Sequence, residues 1–314
     1  MTSSVNTIRL AHVSDLHLPV PSRPRLADLL CKRFFSWLSW TRNRRFVHRP
    51  EALSALMADV RAVGAGHLIV TGDLTNLSQP DEFAQARDWL AGQGTPADLT
   101  AIPGNHDALV PVDWAASQGL WRDWMGDVSG EDAFPFVKRL GEVVLIGVTT
   151  AVPTGLFLAQ GRVGAAQLER LESVLDQTGR EGLFRIVLIH HPITDGAVSG
   201  RKALTDAAAL RAVLARAGAE LVLHGHAHTA TTVTVPGPAG PIPVVGTPSA
   251  SASPDAHGEP AGWRRIELDP LNEAWRLRIS SRTLGRDGVF SERQDLAVEI
   301  SRGLRDPTRN ASRI

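Results

Sequence analysis

Five short polar stretches recur along the chain: Asp15-Leu16-His17, Gly72-Asp73, Gly104-Asn105-His106-Asp107, His190-His191 and Gly225-His226-Ala227-His228. Together they offer carboxylates, imidazoles and a carboxamide. That mixture suits borderline divalent metals such as Zn, Mn, Fe and Co, whereas a Ca or Mg site favours oxygen alone. No thiolate takes part. A carboxylate has two oxygens, so Asp73 can bridge two cations. A pair roughly 3.5–4 Å apart clamps both the attacking and the leaving oxygen of a phosphoryl displacement. Spacing alone does not divide the other candidates between two metals.

The elements that must position these residues are also visible. Each stretch ends or follows an apolar run that reads as a buried strand, at residues 8–13, 68–71, 99–102, 186–189 and 221–223. An open α/β sheet binds its ligands outside the carboxyl ends of its strands, where loops from distant sequence meet. Helices are expected at 50–63, 80–90, 113–124, 165–177 and 205–217, several opened by Pro or by an Asp or Thr start signal. After His228 the runs 231–235, 242–245, 263–268 and 275–280 are β-rich and separated by Pro, Gly and Asp-Pro turns. They predict a second, largely antiparallel sheet edge. The expected fold is α/β, a four-layer α/β/β/α sandwich of two sheets covered by helices. Residues 1–295 form one domain, with an insertion at about 21–49, and 296–314 form a loose tail without apolar period.

The order D-x-H, G-D, G-N-H-D, H, G-H-x-H resembles the calcineurin-like metallophosphoesterases over residues 8 to about 228, and all five blocks match without a substitution. The resemblance implies one metal held by Asp15, His17, Asp73 and His228, and another held by Asp73, Asn105, His190 and His226. It implies a bridging water or hydroxide as nucleophile. It also implies His106 as the residue that protonates or stabilises the leaving oxygen, with Asp107 as its orienting partner. Two cations lower the pKa of a shared water from about 15.7 toward 7, and an unperturbed imidazole titrates at about 6.5, close to the pH of the reaction.

Taken singly, these stretches mean little. A Gly-Asp pair after a strand is usually a turn, and a lone His is usually a satisfied core or surface residue. Their joint occurrence at successive strand ends carries the reading. His191 and His224 flank ligand candidates and are expected to support a ligand or touch substrate. His12, His48, His67 and His257 match no motif and are expected to be structural.

Between Asp28 and Glu51 there is no acidic residue, yet Lys32, Arg33, Arg42, Arg44, Arg45 and Arg49 alternate with Phe34, Phe35, Trp37, Leu38, Trp40 and Phe46. Leu26, Leu30, Phe34, Trp37 and Leu38 fall on one helical stripe, predicting an amphipathic helix over 26–40. Such a helix could simply pack on the core with solvated arginines. Its position directly after Asp15 and His17 also suits a lid, with Arg33, Arg44 and Arg45 gripping a phosphodiester and Phe34 and Trp37 an apolar group. The same composition over 26–49 suits peripheral contact with an anionic membrane.

With 314 residues, 43% hydrophobic and 21% charged, the chain has the composition of a globular fold. Its 33 basic and 33 acidic residues balance, so no global field draws in nucleic acid and no specific nucleic-acid partner is expected. Cys31 is the one cysteine, which excludes an intrachain disulfide. The most apolar region, 143–159, contains Gly147, Pro153 and Gly155, and falls short of the ~20 apolar residues of a membrane helix. The short polar start before residue 8 leads to the expectation of a cytoplasmic protein, in contact with the inner face of the membrane if the insertion binds lipid. Three functions compete: hydrolysis of a phosphodiester or related phosphate ester, a pyrophosphatase acting on a nucleotide-linked lipid, and a non-catalytic scaffold that keeps the fold. Retention of His106 and every metal position argues against the scaffold.

Overall fold

The computed structural model describes residues 7–126 and 134–302. Two six-stranded mixed sheets form its centre. In the first, β1 (Ile8–Val13), β2 (His67–Val70) and β3 (Leu99–Ala101) run parallel, and β10 (Gly262–Pro270), β11 (Ala274–Leu284) and β12 (Phe290–Ser301) extend it antiparallel from β1. In the second, β5 (Val143–Gly147), β6 (Phe184–Leu188), β7 (Leu221–His224) and β9 (Ile242–Gly246) run parallel. The antiparallel β4 (Phe136–Leu140) and β8 (Thr231–Val235) close its edges.

The central parallel strands read as unbroken apolar runs because both of their faces are covered. On β5, Val143 and Leu145 join the core shared with Leu10 and Ile266 of the first sheet, while Val144 and Ile146 join a second core with Leu171, Leu175, Leu210 and Leu214. Those last four lie on α5 (Ala165–Arg180) and α6 (Ala207–Ala217). The helices α3 (Pro50–Val63) and α4 (Pro80–Gln93) join the first core through Leu53, Leu56, Val60, Phe83 and Leu90. Each opens with Pro at its first turn, where the missing N–H costs no helical bond. Glu82 and Gln79 add a capping box to α4.

Four expectations change. The strands after His228 do not form one edge: β8 and β9 complete the second sheet and β10–β12 the first. Residues 113–124 hold a 3-10 helix over Gln118–Met125. Ahead of it the Ser117 hydroxyl donates to the Asp113 carbonyl at 2.5 Å, a local bond that competes with helix formation. β12 carries order to Ser301, past the expected tail boundary at 295, because it is a charged edge strand whose polar face hides its alternation. Residues 303–314 of that tail lie outside the described residues.

The insertion is not one helix. It runs as a 3-10 turn (Leu26–Leu29), α1 (Arg33–Ser39), a π turn (Trp40–Arg44) and α2 (Arg45–Val47). Leu26 and Leu30, counted on the apolar stripe, are 82% and 88% exposed and pack on nothing that would extend the helix. Among the described residues no helix is long and apolar enough to cross a membrane.

Candidate metal centre

The loops after β1, β2, β3, β6 and β7 are laced together by their own backbone. Asp15 N–H donates to the Gly72 carbonyl and His17 N–H to that of Asp73, both at 2.9 Å, and Gly225 N–H donates to the His190 carbonyl at 3.1 Å. Asp15, His17, Asp73, His226 and His228 all sit at positive φ, between 43° and 65°. Non-glycine residues rarely adopt this backbone, and it persists where surrounding contacts force it. The motif glycines leave room for the ligands. A Cβ on Gly104 would meet the Asp73 nitrogen at 2.5 Å, and one on Gly225 would meet Asp15 Oδ2 at 2.5 Å.

The ligand candidates form two groups that share Asp73. Asp15, His17 and Asp73 converge on one point, and Asp73, His190 and His226 on another. Asp73 Oδ2 lies 3.4 Å from His190 Nε2 and 3.9 Å from His17 Nε2. His228 Nε2 extends the first group, 3.1 Å from Asp15 Oδ1 and 3.4 Å from His17 Nε2. Asn105 Oδ1 extends the second, 3.1 Å from His190 Nε2.

The donors fit divalent cations. Burial opposes the charge of Asp15 and Asp73, yet the imidazoles outweigh it and hold both carboxyls below their usual range, His228 chiefly for Asp15 and His190 for Asp73. No Lys or Arg pairs with either carboxylate among the described residues. Burial keeps His17 and His226 neutral, the state a ligand requires, while Asp73 overrides burial at His190 and pushes it up to about 9. Outer hydrogen bonds aim the rings: His190 Nδ1–H donates to the Thr71 carbonyl at 2.7 Å and His226 Nε2–H to that of Lys202 at 2.9 Å.

His106 stands at the opening of this centre. Its Nδ1–H donates to the Asn76 carbonyl at 2.8 Å, which leaves Nε2 toward the cavity. Burial, then Arg44, hold it down to about 4. Asp107 does not orient that ring. Its carboxyl accepts the backbone N–H of Thr75 at 2.8 Å and of Gly104 at 2.8 Å, tying the β2 and β3 loops together, and burial beside Asp73 pushes it up to about 7. Its neighbour position and acidity suggested a catalytic partner, but its oxygens are spent on the backbone.

A cavity of about 520 Å³ opens over the centre, walled by the insertion on one side and residues 157–159 and 199–202 on the other. Of the insertion residues expected to grip a substrate, Arg33, Arg44, Arg45, Phe34 and Trp37, Arg44 alone lines it. Arg44 Nη1 lies 3.0 Å from His106 Nε2 and Nη2 2.8 Å from His17 Nδ1. Arg33 instead ties the insertion to the carbonyls of Leu77 and Ser78, and Arg45 lies over the exposed Phe46 ring. Phe34 and Trp37 face away, because α1 begins at Arg33 and turns Lys32, Phe35, Ser36 and Ser39, spaced i, i+3, i+4, i+7, toward the cavity. Lys32 Nζ reaches Thr154 Oγ1 and the Leu158 carbonyl at 2.6 Å, and Phe35 packs edge-on against Phe157.

His191 is no ligand: Nδ1 pairs with Thr150 Oγ1 at 2.7 Å and Nε2 with the Ala159 carbonyl at 3.1 Å, and its ring braces His226 at 4.3 Å. His224 is buried with Nδ1 against the Gly225 carbonyl. His12 and His67 are buried on threonine hydroxyls, as structural residues are. His48 departs from that group, since its ring centroid lies 4.2 Å from that of His17.

A family model described as calcineurin-like phosphoesterase matches residues 8–230. A probable cyclic nucleotide phosphodiesterase of Synechococcus sp. is 27% identical over 283 residues, covering 87% of this chain and 92% of that protein. In fold the chain is similar to a dimetal phosphatase from Danio rerio, with a TM-score of 0.58 at 11% identity over 94% of this chain and 99% of the other. It is similar also to a purple acid phosphatase from yellow lupin seeds, with a TM-score of 0.58 at 14% identity over 94% of this chain and 54% of the other.

Proposed function

Because the chain belongs to the calcineurin-like phosphoesterase family, we propose that it is a phosphodiesterase working with two divalent cations. One is held by Asp15, His17, Asp73 and His228, the other by Asp73, Asn105, His190 and His226. The observation that carries this reading is the position of the Asp73 carboxylate between His17 and His190, common to both ligand groups. When bound, such a pair activates water and offsets charge on the phosphoryl oxygens.

The chain's own residues do the rest. In the free protein the Arg44 guanidinium bonds the rings of His106 and His17, and a phosphate oxygen entering there accepts its N–H groups in their place. Burial, then Arg44, hold His106 neutral in the free protein. An anionic phosphate that takes over the Arg44 N–H groups favours the imidazolium, so His106 Nε2 takes up a proton from solvent on substrate binding and hands it to the leaving oxygen. The leaving group then occupies the outer cavity, between the Phe35 and Phe157 rings and the cations Lys32, Arg201 and Lys202. A planar, anionic group such as a nucleotide suits those walls. The cyclic nucleotide named for the Synechococcus relative supports the same choice.

A second reading, hydrolysis of a nucleotide-linked lipid at the inner face of the membrane, is favoured by Phe157, exposed where it lines the cavity, and by Leu26, Leu30 and Phe34, exposed along the insertion. Turnover of a cyclic nucleotide, a linear diester, a monoester and a lipid-linked pyrophosphate with Mn²⁺ separates the cases. Diesters are expected to lead. A preference for monoesters, or no turnover of any of them, overturns the proposal.

A further inference from the structure

His48 lies outside every stretch that carries the ligand set, yet it stands inside that set. It is 5% exposed, and its ring centroid is 4.2 Å from that of His17 and 5.6 Å from that of His228. Each of the three offers a nitrogen, and these atoms lie within 4.8 Å of one another. The other face of the ring is already held: Nδ1 lies 3.0 Å from Ser251 Oγ and 3.3 Å from Ser249 Oγ, which leaves Nε2 free for the centre. Ser249 in turn donates to the Asp15 carbonyl at 2.7 Å, so the serine that steadies His48 also steadies the first ligand loop. A ring with one nitrogen fixed by an outer hydroxyl and the other turned to a cluster of donors is built as metal-binding histidines are built.

The backbone around His48 is fixed just as firmly. Arg49 N–H donates to the Ser251 carbonyl at 2.8 Å, Ser253 N–H to that of Val47 at 2.7 Å, and His48 pairs with Ala252 as an isolated bridge. The π turn ahead of it shifts the register so that Arg44 and His48 both point inward, and such turns concentrate at functional sites. No carboxylate hydrogen-bonds to His48 among the described residues, so it is not the charged half of an ion pair.

We propose that His48 is a further ligand of the cation held by Asp15, His17, Asp73 and His228, supplied by the insertion. This rests on the two-metal reading above and adds a third imidazole to one of its sites. A nitrogen-rich site of this kind favours Zn, Co or Fe over Mg.

The test is Co²⁺ binding to metal-free wild type, His48→Ala and His48→Gln, followed by calorimetry and visible absorption. Wild type should take up two equivalents. In both variants one equivalent should bind about 10–100-fold more weakly with an altered absorption band, while the other keeps its affinity. Two equivalents with unchanged affinities and bands in either variant overturns the proposal. NMR of Co²⁺-loaded wild type with labelled histidines reads the ring directly: a His48 ring signal, assigned by its loss in His48→Gln, with a contact shift as large as that of the other imidazole ligands supports ligation, and one without it overturns the proposal. Failure of wild type to bind two equivalents strikes instead at the two-metal reading.

Discussion

The motif loops and the insertion face each other across one cavity but are built in opposite ways. The loops are short, buried and held in left-handed backbone at Asp15, His17, Asp73, His226 and His228, at a cost of order 1–3 kcal/mol each. Such strain persists only because glycine contacts and cross-loop hydrogen bonds leave no alternative. The insertion is a chain of short 3-10, α and π turns with exposed Leu26, Leu30, Phe34 and Phe46, anchored at its far end by the 249–253 loop. The difference separates tasks. On the proposed function, the rigid loops fix where the chemistry happens, and the cavity face of the insertion selects what is brought to it.

If that division is right, a change in the loops should abolish turnover whatever the substrate. Asp73→Asn removes the shared carboxylate charge, and kcat/KM should fall by more than the ~10³-fold lost with a single electrostatic donor. Elemental analysis should find metal lost as well. Full occupancy by two metals in that variant breaks the bridging assignment. His106→Ala should keep its metals and lose about 10²–10⁴ in turnover with a poor leaving group, and much less with nitrophenolate. Equal losses for both leaving groups contradict proton donation.

Changes on the cavity face of the insertion, His48 apart, should be smaller and should depend more on the substrate. Arg44→Ala should cost about 10–150-fold in kcat/KM, the ~1.5–3 kcal/mol of a hydrogen bond to a charged group. Arg45→Ala, over exposed Phe46, should leave kinetics nearly unchanged. Equal effects from the two erase the distinction between the inner and outer face of the insertion. Smallest of all, Phe35→Ser with Phe157→Ser should raise KM for a substrate with an aromatic leaving group by about fivefold, near 1 kcal/mol of half-exposed apolar contact. A small dialkyl diester should be spared. The same change at Phe34 and Trp37, which face away from the cavity, should spare both substrates.

The two regions also differ in how far they can be read from sequence. The candidate ligands show in the motif loops because residue type, strand ends and chain order all point the same way. The four-layer fold follows from the apolar runs that precede each stretch. In the insertion the composition shows and the geometry does not. A helical wheel through 26–40 assumes one continuous helix, and the break between Leu30 and Arg33 rotates the cavity face onto Lys32, Phe35, Ser36 and Ser39. His48 is invisible for a related reason, since its partners Ser249 and Ser251 come from a loop two hundred residues away and His17 from the loop after β1. Asp107 misleads in the opposite direction. Adjacent in sequence to His106, it spends its carboxylate on the backbone of Thr75 and Gly104.

The central claim is that the loops hold a pair of cations across Asp73 and use it to cleave diesters. Titrating metal-free protein with Mn²⁺ while following hydrolysis of bis(p-nitrophenyl) phosphate tests it directly. The account predicts no turnover without metal and a rise to a plateau at two equivalents per chain. A plateau at one equivalent, or hydrolysis that persists in the metal-free protein, contradicts it.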